Sequence, residues 1–259
     1  MARQLCVYWR LSNHMILGII PARKGSKGIP GKNMVDLGGR PLIDFTLATA
    51  ENCRKLDRIL LSTDIPEAIK WASTHYSRIE VPFVRPRYLT GSSVASHDVV
   101  LHAVDFLEGK ERCKVDTVVL LQPTCPFRRP KELNAAIQLF RNKHLASLVG
   151  VSRVWHHPSD YVHRNVATSN QFSYVFRKPA WKQRQDFPKV LFMTGALYIC
   201  QTDYLRKSRV FFDKKSYLFP MSEETMIDID APFDLAIARG LVAIGANKWH
   251  PKFKMGGWI

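Results

Sequence analysis

The chain is short of several features that would fix its class at once. It has five cysteines, Cys6, Cys53, Cys113, Cys125 and Cys200, scattered and odd in number. No CxxC pair and no Cys/His ligand spacing occurs, so each cysteine is expected to act as a small apolar residue in a reducing compartment. No apolar run approaches the ~18 residues that cross a bilayer. The stretch Met15 to Ile20 is too short for a targeting segment and runs directly into a basic, glycine-rich loop, so it reads as a first buried strand. Residues 1–14 read as an extension. Internal repeats and low-complexity tracts are missing. No serine sits in a nucleophile elbow. His97 with His102, and His156 with His157, lack carboxylate or cysteine partners at ligand spacing and read as solvated or core-capping side chains.

Acidic residues are also scarce: 22 Asp and Glu face 38 Lys and Arg, for a net charge of +16. Such a balance points to polyanionic partners, either nucleic acid or a small ligand carrying several negative charges. The basic residues are dispersed rather than blocked, and no helix-turn-helix or RNP-like pattern appears, which weakens the nucleic-acid reading.

What is present is an alternation of short apolar runs and amphipathic segments over 259 residues, 46% hydrophobic. Strands are expected at Ile16 to Pro21, Arg58 to Ser62, Val81 to Val84, Thr117 to Leu121, Ser147 to Val151, Gly195 to Cys200 and Met226 to Asp230. Helices are expected at Leu42 to Cys53, Pro66 to His75 (capped by Asp64), Ser96 to Leu107, Pro130 to Lys143 and Phe233 to Ala243. Continuous apolar strands alternating with helices indicate an α/β fold with a mainly parallel sheet covered on both faces. One domain over 15–245 is expected, interrupted by an aromatic, basic, proline-punctuated arm over 152–190. Ligands of such sheets bind beyond the carboxyl ends of the strands, and the polar motifs sit at those ends.

Three motifs carry chemistry. Pro21-Ala22-Arg23-Lys24-Gly25-Ser26-Lys27-Gly28-Ile29-Pro30-Gly31-Lys32-Asn33 follows the first strand. Its glycines let backbone approach phosphate oxygens, and its cations offset their charge. It is not a Walker loop, because the spacing before Gly31-Lys32 is wrong and Asn33 replaces the required hydroxyl residue. Asp228 and Asp230, two apart in an expected strand, would face one side. Taken alone they read more readily as solvated acids or a cap for the helix at Phe233 than as a divalent metal site. Leu121-Gln122-Pro123-Thr124 is a proline-fixed strand exit where Gln122 or Thr124 could hydrogen-bond a ligand.

In order and together, these blocks, with Leu61-Ser62-Thr63-Asp64, resemble the N-acylneuraminate cytidylyltransferases (CMP-sialic acid synthetases), from about Ile16 to Gly240. The resemblance implies a Rossmann-like fold of the nucleotide-diphospho-sugar transferase type, a cytoplasmic homodimer joined through the 152–190 arm, and Mg²⁺ (or Mn²⁺) as cofactor. It implies a nucleotidyltransferase that activates a nonulosonic sugar acid with CTP, giving CMP-sugar and pyrophosphate. By resemblance Ala22, Arg23, Ser26, Lys32, Asn33, Arg85 and Ser96 hold CTP. Arg23, Lys32 and Asp230 are catalytic, and Asp228 and Asp230 bind the metal. Gln122, Arg184 and Tyr198 lie around the sugar.

Three positions depart from the family pattern. Phe192 and Thr194 stand where an Arg and an Asn are usual before the Gly-Ala-Leu-Tyr-Ile strand, and Asp160 stands where a Lys is frequent after His156-His157-Pro158. Lys178, Lys182 and Arg184 are available as substitutes. These departures keep other acceptors open: a legionaminic- or pseudaminic-type sugar, another 2-keto sugar acid or a phosphonate, or a different NTP. A catalytically silent sugar-nucleotide sensor is disfavoured by the intact Arg23, Lys32, Asp228 and Asp230.

Overall fold

The computed structural model describes residues 15–154, 156–164, 171–176 and 190–245. In chain order the strands are β1 (Ile16–Ala22), β2 (Arg58–Thr63), β3 (Ile79–Glu80), β4 (Thr117–Leu120), β5 (Ser147–Arg153), β6 (Val162–Arg164), β7 (Phe172–Tyr174), β8 (Leu191–Gln201) and β9 (Tyr217–Pro220). The helices are α1 (Leu42–Glu51), α2 (Pro66–His75), α3 (Ser96–Lys110), α4 (Pro130–Asn142), α5 (Thr202–Ser208) and α6 (Pro232–Ala243).

Seven strands form one sheet in the order β3-β2-β1-β4-β8-β5-β9, and β6 and β7 form a separate two-stranded ladder. The pairs β1 with β2, β1 with β4, β2 with β3 and β5 with β9 are parallel. β8 alone runs antiparallel, between β4 and β5. The mainly parallel sheet expected from the sequence is therefore present, with one reversed strand inside it. The chain leaves β1 toward β2 and β3, then returns to place β4 on the other side of β1. This reversal opens a crevice at the carboxyl ends of β1 and β4, where doubly wound sheets bind ligands.

The apolar runs become strands because helices cover both faces. Leu17, Ile19 and Ile20 of β1 and Leu60 and Leu61 of β2 are wholly buried, and each such side chain contributes about 1.5–3 kcal/mol. Helix α4 buries Leu133, Ala136, Ile137 and Phe140, the i, i+3, i+4, i+7 stripe of a one-sided helix. Helix α1 is different, with every residue from Leu42 to Ala50 buried. Its polar residues are satisfied internally: the Asp44 carboxylate accepts from Trp71 Nε1 at 2.6 Å and Arg40 NH1 at 2.7 Å, and also from the Tyr76 hydroxyl.

Several local expectations change. The third strand lies at Ile79–Glu80 rather than 81–84, and Val84 makes only an isolated bridge to Thr63. Strand β9 was not anticipated, because Tyr217–Pro220 is short and half-exposed on the sheet edge. Residues 227–230 are extended but form no strand; a 3-10 turn at Glu223–Met226 precedes them. Asp64 does not cap α2: its carboxylate accepts from Lys24 N at 2.8 Å, and Thr63 Oγ1 accepts from Ile65 N instead. β5 reaches Arg153, two residues into the expected arm, and β6 and β7 with their exposed side chains are the arm's described part. Cys53, Cys125 and Cys200 are free and buried, as expected of apolar fillers. Cys113 is disulfide-bonded, contrary to that expectation, since spacing along the chain does not report which sulfurs meet. Among the described residues no helix is long and apolar enough to cross a membrane.

Candidate active site

The crevice beside the β1–β4 switch holds a cleft of 430 Å³. Its wall on the β1 side is the glycine-basic loop. Three interactions shape that loop: Lys24 N donates to Asp64, Asn33 Nδ2 donates to the Arg23 carbonyl at 3.0 Å, and Gly31 takes a left-handed turn with φ +62°. Ile29 anchors it by packing with Leu42, Ile227 and Ile229. A side-chain carbon at Gly28 would stand 2.0 Å from the Asp230 carbonyl oxygen, so only glycine lets the loop lie this close to the acidic segment.

The acidic segment is held from the other side. Ile229 N donates to the Thr124 carbonyl at 2.9 Å, tying residues 228–230 to the exit of β4. Asp234, at the third position of α6, accepts from Asp230 N at 3.0 Å and Ala231 N at 2.8 Å. The helix cap is thus Asp234, which leaves both upstream carboxylates available. Asp230 is three-quarters exposed, and its Oδ1 lies 2.6 Å from Lys32 Nζ. Asp228 is largely buried. Its Oδ1 has no hydrogen-bond partner, and its Oδ2 would be 3.3 Å from a side-chain carbon placed on Gly195. Burial raises the Asp228 pKa above the ordinary carboxylate value, and the neighbouring Asp230 charge adds to the rise.

Cations dominate the rest of the cleft: Arg23, Lys27, Lys32 and Arg85 line it, with Asp230 the acidic lining residue. Arg85 is 4% exposed. Its Nε donates to Ser62 Oγ at 3.2 Å and its NH2 to the Ser62 carbonyl; no ion pair compensates it among the described residues. Desolvation lowers its pKa to about 10, still protonated at neutral pH. A buried guanidinium held by neutral acceptors keeps its charge for an incoming anion. Ser96, at the first position of α3, and Val99, one turn on, also line the cleft, so the positive end of a 15-residue helix faces it.

The structure therefore brings Arg23, Ser26, Lys32, Asn33, Arg85, Ser96, Gln122 and Asp230 to one cleft. Ala22 lies buried at the end of β1 and is not among the residues lining the cleft. Tyr198, on β8, is not in the lining; it stacks on Phe212 at 5.7 Å, and burial pushes its pKa up to about 12 with Cys125 and Asp228 nearby. Asp228 faces the same Gly195 side rather than the open cleft. Residues 228–230 are extended without joining the sheet, and the two acids differ in burial while the Asp230 charge still acts on Asp228. Arg184, Lys178 and Lys182 lie outside the described residues. Thr194 is buried in the sheet, its hydroxyl donating to the Gly150 carbonyl at 3.3 Å, while Phe192 is 46% exposed.

Sequence reasoning missed one wall, formed by Leu89, Gly91, Ser92 and Val94. Arg23 NH1 reaches the Thr90 carbonyl there at 3.5 Å. The signal was Pro86 followed by Gly91-Ser92-Ser93, a turn-rich stretch just ahead of α3.

Comparison with known proteins agrees with this geometry. Residues 17–234 match the family model described as Cytidylyltransferase. The chain is 30% identical over 229 residues to a pseudaminic acid cytidylyltransferase of Campylobacter jejuni, covering 88% of this chain and 96% of the relative. It is 29% identical over 240 residues to the CMP-N,N'-diacetyllegionaminic acid synthase of Legionella pneumophila, with 88% and 97% covered. An N-acylneuraminate cytidylyltransferase of Streptococcus agalactiae is 30% identical over 220 residues, but only half its length is matched. Among solved structures, a CMP:2-keto-3-deoxy-manno-octonic acid synthetase complexed with CTP superposes with TM-score 0.64 at 18% identity, covering 89% of this chain and 99% of that one; this likeness speaks to the fold. With a cation-lined crevice at the β1–β4 switch and a family match across nearly all of the described core, the chain belongs to the cytidylyltransferase family and is a nucleotidyltransferase.

Proposed function

We propose that this enzyme transfers CMP from CTP to the anomeric hydroxyl of a nonulosonic, sialic-acid-like sugar acid. The observation that carries the reading is the meeting of Lys32, Asp230 and the buried Arg85 in one cleft, in a family whose relatives are named for pseudaminic, legionaminic and N-acylneuraminic acids. The hydroxyl oxygen forms a bond to the α-phosphorus as the bond to the β-phosphate oxygen breaks, and pyrophosphate leaves. Asp230, the exposed acid of the cleft, receives the hydroxyl proton. Arg23, Lys32 and Arg85 offset the charge that gathers on the phosphates, and fixed positions of these groups supply most of the acceleration. Ser26, Asn33 and Ser96 orient the nucleotide. Gln122 faces the sugar; Tyr198, outside the cleft lining, and Arg184, outside the described residues, are assigned to the sugar by the family resemblance alone.

Asp228 and Asp230 would hold Mg²⁺ or Mn²⁺. The fit rests on the buried, unpartnered Oδ1 of Asp228 and on a donor set of hard carboxylate oxygens. Among the described residues no three acidic, His or Cys side chains form a complete cage, so phosphate oxygens and water would complete the shell. When bound, the ion supplies Lewis-acid neutralisation of the phosphates.

The enzyme is further read as a homodimer. Exposed apolar side chains in and beside the arm, including Phe172, Phe176, Leu191, Phe192 and Met193, support burial against a second copy. A monomer by sedimentation at micromolar concentration would sink that reading.

The deciding experiment is pyrophosphate release with CTP, Mg²⁺ and a panel of sialic, legionaminic, pseudaminic and shorter 2-keto sugar acids, with products weighed by mass spectrometry. One nonulosonic acid should give a CMP-sugar, and Asp230→Ala should abolish turnover with the fold retained. A CMP product from another acceptor, with none from any nonulosonic acid, overturns the reading.

A further inference from the structure

Among the described residues Arg128 is the largest fully buried side chain, with no exposed surface. Removing a guanidinium from water is costly unless its donors are satisfied. No ion pair to Arg128 exists among the described residues. Its donors go to neutral acceptors on three separate elements. Nε donates to the Ala196 carbonyl on β8, NH2 donates to the Gln122 carbonyl at 3.1 Å, and NH1 donates to Thr46 Oγ1 on α1 at 3.4 Å. The network is closed from α1: Thr46 Oγ1 also reaches the Gln122 carbonyl at 3.4 Å, and Thr49 Oγ1 donates to the Arg128 carbonyl at 2.9 Å.

The two carbonyls gripped by Arg128 flank one point of the site. Gln122 is one of the residues lining the cleft, and Ala196 follows Gly195. Gly195 sits at φ +71°, where a side-chain carbon would lie 3.2 Å from Gln122 Oε1 and 3.3 Å from Asp228 Oδ2. The separation between the β4 exit and β8 thus sets where the Gln122 side chain stands against Gly195. A planar fork with fixed donor directions sets that separation in a way that a lysine cannot.

We propose that Arg128 is a positioning residue for the acceptor half of the site, holding the Gln122 backbone and the Gly195–Ala196 stretch of β8 at a fixed distance without touching substrate. This rests on the proposed reading that Gln122 faces the sugar acid. The glycine-basic loop is held by other contacts, so the nucleotide half should not feel the loss.

The test uses Arg128→Lys in the full chain. Steady-state kinetics with the acid accepted by the parent should show the acceptor KM raised, or kcat lowered, about tenfold or more, with the CTP KM within about twofold of the parent. Amide exchange should quicken in 122–125 and 195–198 and stay unchanged in 22–33. If Arg128→Lys does not fold, Thr46→Ala, which removes one contact to each of Arg128 and Gln122, should give the same split in milder form. Equal changes in both KM values, or a folded variant with unchanged acceptor kinetics, overturns the proposal. If the parent accepts no nonulosonic acid, the functional reading fails on its own. The exchange pattern then decides the positioning role: faster exchange spread evenly over both halves, or over neither, overturns it.

Discussion

Substituting Gly28 by alanine should separate the geometry of the cleft from its composition, since no charged or polar group is removed. The added carbon would stand 2.0 Å from the Asp230 carbonyl oxygen, whereas a carbon approaches a carbonyl oxygen to about 3.3 Å. The loop and the acidic segment must therefore part by about 1.3 Å, and the obstacle is backbone on both sides, with no flexible side chain to yield. Ile29 and Ile229 pack in one cluster just beyond, so the displacement also loosens that contact. Overpacking of this kind costs about 1–3 kcal/mol, a fall in Tm of roughly 2–12 °C for a chain of this size. The larger effect is catalytic. A misplacement near 1 Å between reacting groups costs on the order of 100-fold in rate, about 2.7 kcal/mol. Pyrophosphate release under saturating CTP should show kcat lowered by about that factor while the far-ultraviolet dichroism is unchanged. Gly240 in α6 is the control: nothing lies within 4 Å of its added carbon, so Gly240→Ala should leave kcat alone and raise stability by about 0.5–1 kcal/mol. A Gly28→Ala enzyme within threefold of the parent in kcat, with an unchanged Tm, would refute the close approach of loop and acidic segment.

Other expectations concern charge. Lys32→Met removes the 2.6 Å contact to the exposed Asp230; kcat/KM should fall about 100- to 1,000-fold, and a thermal melt should move little because exposed pairs contribute under about 1 kcal/mol. Arg85→Met removes a desolvated cation; the CTP KM should rise at least tenfold with stability kept or improved, and a lowered Tm with unchanged CTP binding would contradict the anion-site reading. Burial raises the folded pKa of Asp228 above its unfolded value. Between those two values the folded state binds more protons, so stability falls as pH rises through that window and the penalty persists at neutral pH. Asp228→Asn, melted in chelator, should therefore be as stable as the parent or more so at pH 7, with the gap narrowing toward acid; a lower Tm at pH 7 would count against the burial argument.

Much of the site was legible because its motifs are local. The glycine-basic loop, the proline-fixed exit after β4 and the pair of aspartates are each weak alone, and it is their order along the chain, with the rule that ligands gather at strand carboxyl ends, that joins them. The run of apolar residues from Ile16 to Ile20 likewise had to be a buried strand, whatever its neighbours. Three features depended on contacts between distant segments. β8 reads like any other apolar strand, and its antiparallel direction follows from the path the chain takes to reach it. Asp228 and Asp230 were assigned one face by alternation, yet the neighbouring Thr124 carbonyl and Asp234 carboxylate hold that segment outside any ladder and give the two acids different surroundings. No local pattern marks Arg128 for burial. Its burial is decided by carbonyls of β8 and the β4 exit and by hydroxyls of α1, three elements that only the folded chain makes neighbours. Sequence by itself determined which residues could do phosphate chemistry and at which strand ends they stand; tertiary structure decided which of them are desolvated, which are paired and which meet, because burial and pairing are properties of surroundings assembled from segments far apart in the chain.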